Sequence, residues 1–136
     1  MNHASVLLAD DNRPLVERVV ELLSSWFDVV GTAHDGQDLV AKALRLTPDV
    51  IVADITMPIL TGIEAMHQLR NAGLESKFVF LTIHNENEFM EACLLEGAVG
   101  YVLKTHMKDD LIPAIKAAVA GRQFISSGMS TFEGRP

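Results

Sequence analysis

Short apolar runs recur at residues 6–9, 27–30, 50–53, 78–81 and 101–103, each built mainly from Val, Ile, Leu, Phe, Ala or Tyr. Near-continuous apolarity of this length predicts strands covered on both faces, since a strand with one face in water would alternate apolar with polar. Between the runs the period changes to that of a helix. Leu15, Val19, Leu22 and Trp26 form one stripe behind Pro14, whose missing N–H costs least at a helix start. Leu39, Val40, Ala43 and Leu44 form a second. Thr61 and Glu64 have the spacing of a capping box, in which hydroxyl and carboxylate satisfy orphan N–H groups, ahead of Met66 and Leu69. Asn85 is the expected N-cap of a fourth helix, with Glu88 three residues on, Phe89, Met90, Cys93 and Leu94 as the buried face, and Gly97 in the C-terminal turn. Leu111, Ile112, Ile115 and Val119 mark a fifth helix ending near Gly121. It is expected to start near Lys108 or Asp109, so that Pro113 stays close to the first turn. Trp26, Met90 and Cys93 read as core packing.

Strict alternation of five strands with five helices predicts an α/β fold in which right-handed crossovers join parallel strands and helices cover both faces. One compact domain over residues 1–121 accounts for it. Residues 122–136 contain Ser126, Ser127, Gly128, Ser130, Thr131, Gly134 and Pro136, show no helix or strand period, and read as a linker or tail.

Composition narrows the function classes. A chain of 136 residues that is 49% hydrophobic and 21% charged supports a real core. The net charge of −7 argues against direct binding to nucleic-acid phosphates, which relies on clustered Lys and Arg. A lone Cys93 forms no internal disulfide, His3, His34, His67 and His106 share no ligand spacing, and no membrane span or signal peptide is legible, so a cytoplasmic setting is expected.

The chemistry lies in where polar residues fall. VLLA runs into Asp10 and Asp11, VIVA into Asp54, FVFL into Thr82 and YVL into Lys104. In a parallel sheet those run ends share one edge, where open α/β folds bind ligands. Three carboxylates about 5 Å apart repel by roughly 3 kcal/mol per pair at an effective dielectric near 20. Positive charge must meet them. Lys104 supplies one unit, and hard oxygen ligands with room for water suit Mg²⁺. Such a site would let the Asp54 carboxylate attack a phosphoryl group, a reaction that demands positioning more than nucleophilic force, with Thr82 and Lys104 gripping the phosphoryl oxygens.

These residues, with Met57, Pro58 and Gly62 after Asp54 and the run GAVGYVLK at 97–104, closely resemble the receiver domains of bacterial two-component response regulators. The resemblance covers about residues 5–121. It implies a flavodoxin-like (βα)₅ three-layer sandwich whose five-stranded parallel sheet has the order 2-1-3-4-5. It further implies that Asp54 is the phosphoacceptor, served by a sensor histidine kinase or a histidine phosphotransfer protein, and that the domain is a switch and not an enzyme. Asp11 and Asp54 would contact Mg²⁺ directly, the Thr56 main-chain carbonyl would be a third ligand, and Asp10 would act mainly through bound water. Thr82 and Tyr101 would be the switch pair, Tyr101 turning inward as Thr82 moves toward the phosphoryl group. The segments 81–84 and 121–126 look most like the LuxR/NarL-type transcription regulators. That implies an output domain that would supply any DNA binding, and a tendency to form homodimers on phosphorylation.

Some positions depart from the family's commonest pattern. Thr105 follows Lys104 where Pro is frequent, and bulky Ile83 follows Thr82 where a small residue is frequent, which narrows the expected path to Asp54. His84, two residues past Thr82, is either an exposed loop residue or one that influences hydrolysis of the phosphate. Competing readings are a free-standing receiver acting as a protein-binding adaptor or phosphorelay intermediate, and an aspartyl-phosphate phosphohydrolase. The last is disfavoured because Thr56 stands where such enzymes place a second Asp two residues beyond the nucleophile.

Overall fold

A computed structural model describes residues 3–127 and Met129. Its elements alternate as β1 (Ser5–Ala9), α1 (Arg13–Leu23), β2 (Asp28–Ala33), α2 (Gly36–Leu46), β3 (Val50–Ala53), α3 (Gly62–Asn71), β4 (Lys77–Thr82), α4 (Asn87–Leu95), β5 (Gly100–Leu103), a 3₁₀ turn (Lys104–His106), α5 (Met107–Val119) and β6 (Phe124–Ile125). The sheet is parallel throughout, in the order β2-β1-β3-β4-β5-β6.

The buried strands divide their side chains by the two-residue period of a pleat. Leu7, Ile51, Ala53, Phe78, Phe80 and Tyr101 point to the face covered by Leu39, Met66, Leu69, Met90 and Cys93 of α2, α3 and α4. Val6, Leu8, Val52, Val79, Leu81 and Val102 point to the other face, covered by α1 and α5 through Val19, Leu23, Leu111 and Ile115. Both sets of helices are needed because both sheet faces are apolar. This is the flavodoxin-like three-layer arrangement that the family resemblance implies, extended by one short strand.

The extension corrects the reading of 122–136 as a featureless tail. Phe124 and Ile125 pair in parallel with Gly100 and Tyr101. Two residues carry too little period to be seen in sequence. Residues 128 and 130–136 of that segment lie outside the described residues.

Other boundaries moved for local reasons. The N-cap of α4 is Glu86 and not Asn85, and the Glu86 side chain makes no capping hydrogen bond. Helix α5 begins at Met107, one residue before the expected start, so Pro113 lies in its second turn, where the ring forgoes one main-chain bond. Phe27 is buried but precedes β2. Trp26 is not core: α1 ends at Leu23, and the indole is 49% exposed with the Lys116 ammonium 4.1 Å above its ring. No peptide bond is cis among the described residues, Lys104–Thr105 included.

Candidate functional site

The ends of β1, β3, β4 and β5 bring Asp10, Asp54, Thr82 and Lys104 to one edge of the sheet, as the run ends predicted. Parallel register does this without any local motif. Val6, Leu7, Leu8 and Ala9 lie opposite Val50, Ile51, Val52 and Ala53, so Asp10 and Asp54 follow at the same level. The Asp54 N–H bonds to the Ala9 carbonyl at 3.0 Å, which locks the two strand ends together.

Lys104 joins the carboxylates. Its Nζ lies 2.8 Å from Asp10 Oδ2 and 3.0 Å from Asp54 Oδ2. Asp54 is 7% exposed and its Oδ1 accepts the Ile55 N–H at 2.7 Å. Asp10 is 1% exposed and its Oδ1 accepts the Asn12 N–H at 2.9 Å. Asn12 then caps α1 by accepting the Leu15 N–H. Asp11 is exposed beside them.

Two observations indicate that one lysine does not complete this charge set. Although Nζ is close enough for an ion pair, Asp10 Oδ2 has no well-directed hydrogen-bond donor and is fully buried. Burial raises the Asp10 carboxyl above its ordinary value, against the pull of Lys104 and the Asn12 N–H. Burial also works against the Lys104 ammonium, but its close ion pairs with Asp10 and Asp54 prevail and hold its pKa above the ordinary lysine value. Donor oxygens of Asp10, Asp11 and Asp54 lie within 4.8 Å of one another, an all-oxygen set that could hold a hard divalent cation.

The loop after β3 is anchored at Gly62, where α3 packs so closely that an added Cβ would stand 2.3 Å from the Asp54 carbonyl oxygen. The Gly62 N–H bonds to the Ile55 carbonyl at 2.7 Å, and Thr61 and Glu64 complete the expected capping box. Between them the Leu60 N–H reaches the Pro58 carbonyl at 2.8 Å around Ile59, whose φ of 74° is strained for a β-branched residue. Thr56 is exposed on this loop. Its side chain pairs with His84 Nε2 at 3.0 Å.

His84 proves to be more than an exposed loop residue. Its ring stacks on Phe89 with centroids 4.3 Å apart, its N–H donates to Thr82 Oγ1, and its carbonyl accepts the Tyr101 hydroxyl at 2.7 Å. Thr82 is buried, and because its oxygen is the acceptor in that bond, its own proton stays free for another partner. Tyr101 already points inward, fully buried, with its phenol raised above the ordinary value by burial. Ile83, next to Thr82, is 72% exposed.

Two participants were not legible in sequence. His34 Nδ1 lies 3.1 Å from the Asp10 carbonyl oxygen. Ser126 is buried against β5 and α5. The first is an unremarkable His after β2, and the second sits in a Ser- and Gly-rich segment with no period to single it out.

Comparison with known proteins agrees with this geometry. The family model described as "Response regulator receiver domain" matches residues 6–116. The nitrate/nitrite response regulator protein NarL of Escherichia coli K12 is 35% identical over 129 residues, covering 93% of this chain and 60% of that protein. The transcriptional regulatory protein YxjL of Bacillus subtilis is 41% identical over 119 residues, covering 85% and 54%. The crystal structure of a LuxR-family two-component response regulator from an Aurantimonas species superposes with a TM-score of 0.88 at 30% identity, covering 93% of this chain and 91% of that one. The chain spans about 60% or less of the length of these curated relatives.

Proposed function

Since the chain belongs to the response regulator receiver domain family and is of the NarL/LuxR type, we propose that Asp54 is its phosphoacceptor and that phosphorylation switches an output, transcription in the longer protein. The observation that carries this reading is the simultaneous pairing of Lys104 with Asp10 and Asp54 beside a third carboxylate, at the edge where β1, β3 and β5 end.

Asp54 Oδ attacks phosphorus as the bond to the donor breaks, a histidine nitrogen leaving in the kinase or phosphotransfer partner and acetate in acetyl phosphate. The Lys104 ammonium balances negative charge on the phosphoryl oxygens, and the free Thr82 hydroxyl proton donates to one of them. Asp11, Asp54 and the Thr56 carbonyl would hold Mg²⁺ directly, with Asp10 acting mainly through bound water, and the ion would supply further charge neutralisation. Asp10 Oδ2, buried and ion-paired to Lys104 without a well-directed hydrogen-bond donor, and the all-oxygen donor set fit such an ion.

The output path starts at Thr82. A phosphoryl group that draws its hydroxyl away from the His84 N–H disturbs the loop that also holds Thr56, Phe89 and the Tyr101 hydroxyl, so α4 is the element to respond. Tyr101, whose hydroxyl rests on the His84 carbonyl, is the ring that would respond with Thr82. The partners are a sensor histidine kinase or histidine phosphotransfer protein, with homodimers on phosphorylation and DNA contacted through another domain. The setting is cytoplasmic; no helix among the described residues is long and apolar enough to cross a membrane.

Intact mass after incubation with acetyl phosphate and Mg²⁺ tests the assignment. One added phosphoryl group is expected, absent from Asp54→Asn and from samples with excess chelator. A mass shift that survives in Asp54→Asn overturns it, and steady release of phosphate over many turnovers would favour the phosphohydrolase instead.

A further inference from the structure

Lys104 does not lie on β5 but on the 3₁₀ turn, Lys104–His106, that connects the strand to α5. Its Nζ must nevertheless meet two carboxylates at 2.8 and 3.0 Å. Something has to fix that turn relative to the sheet.

Both ends of the connection are held by one hydroxyl. Ser126 Oγ accepts the N–H of Leu103, the residue immediately before Lys104, at 3.0 Å, and donates to Asp110 Oδ2 in the start of α5 at 2.8 Å. Ser126 is itself placed by the ladder, because its N–H bonds to the Tyr101 carbonyl at 2.9 Å just beyond the β6 pairing. Where a longer β6 would offer Leu103 a main-chain carbonyl, the chain offers a side-chain hydroxyl. The group is 1% exposed, so water does not replace either bond.

We propose that Ser126 is a positioning residue for Lys104, which makes the segment beyond α5 part of the phosphoacceptor site. This rests on the reading of Asp54 as phosphoacceptor. It adds that a residue outside the (βα)₅ body sets the rate of phosphorylation by fixing the turn that carries the lysine.

The full chain with acetyl phosphate and Mg²⁺ tests this by initial rates of Asp54 phosphorylation in wild type, Ser126→Ala, Lys104→Ala and the double variant. Ser126→Ala is expected to slow the reaction roughly five- to tenfold, since small misplacements of a catalytic group cost up to about a hundredfold. In the Lys104→Ala background the same substitution is expected to change nothing, because its only route to the reaction is gone. Asp110→Asn, which keeps an acceptor for the Ser126 hydroxyl, is expected to react near the wild-type rate, and Asp110→Ala to be slower. An unaltered rate in Ser126→Ala, or losses that multiply in the double variant, overturns the positioning role while leaving Asp54 untouched. An unmodified wild-type chain sinks the Asp54 reading itself. Should Ser126→Ala lose its folded circular dichroism signal, Asp110→Ala and its double variant with Lys104→Ala decide the question by the same two criteria.

Discussion

Helix α3 starts with both halves of a capping box in place, whereas α4 starts at Glu86, whose side chain makes no capping hydrogen bond. The contrast continues along each helix. In α3, Gly62 lies against the Asp54 carbonyl and Leu69 is fully buried; in α4, Leu95 is 80% exposed and the helix opens on a loop tied mainly through His84. One helix is fastened to the backbone of Asp54, and the other is joined to the site through a few hydrogen bonds centred on Thr82 and His84. A site that must stay rigid while it transmits a change needs both kinds of attachment, since mobile elements are drawn from the less stable parts of a fold.

The largest test of this contrast is Gly62→Ala. The new Cβ would stand 2.3 Å from the Asp54 carbonyl oxygen and 2.7 Å from Phe80 Cε1, so either the loop or α3 must shift. A loss of roughly 3 kcal/mol in urea denaturation is expected, and a loss within error would mean that α3 is not anchored there.

Alkaline pH separates the two regions next. Cys93 of α4 and Tyr101 of β5 are both buried, and burial favours their neutral forms: the thiol rises from 9.0 to about 12, with a smaller push from Glu96, and the phenol also rises. A folded pKa above the unfolded one means that the folded state binds more protons in that window. Stability is therefore intact below pH 9.0 and falls as pH climbs toward 12, by up to roughly 1.4 kcal/mol per pH unit for the thiol. Denaturant melts between about pH 8 and pH 11 should show the decline, and Cys93→Ala should flatten its early part. Parallel decline in the two proteins would remove Cys93 as the cause.

The smallest effects concern the helix starts. Thr61→Ala should cost about 1 kcal/mol, and Glu86→Asp, which gives α4 the capping side chain it lacks, should gain about 0.5 kcal/mol and slow amide exchange in its first turn. If neither substitution moves the melting temperature, the difference between the two starts carries no energy.

How legible the molecule was in its sequence follows the range of the forces involved. Four of the five predicted strands were readable because residues buried on both faces leave an unbroken apolar run, as in VIVA at Val50–Ala53, whereas β2 at the sheet edge is only partly buried and runs past the expected 27–30 to Ala33. The capping box at Thr61 and Glu64 was readable because both bonds close within three residues. Asn85 misled because its spacing to Glu88 imitates a cap, and the chain starts the helix one residue later. Trp26 misled because a 3.6-residue stripe continues past the point where α1 stops.

The sequence by itself determined the alternation of elements, and with it that Asp10, Asp54, Thr82 and Lys104 would end strands at a common edge, because parallel connection turns order along the chain into position along one rim. Only the tertiary structure decided that Lys104 holds two carboxylates at once, that Tyr101 rests inward on the His84 carbonyl, and that Ser126 fastens the lysine's turn. Those contacts join residues 16 to 94 positions apart, and no local period records them. They exist because two apolar sheet faces had to be covered, and covering them fixed where every polar end came to lie.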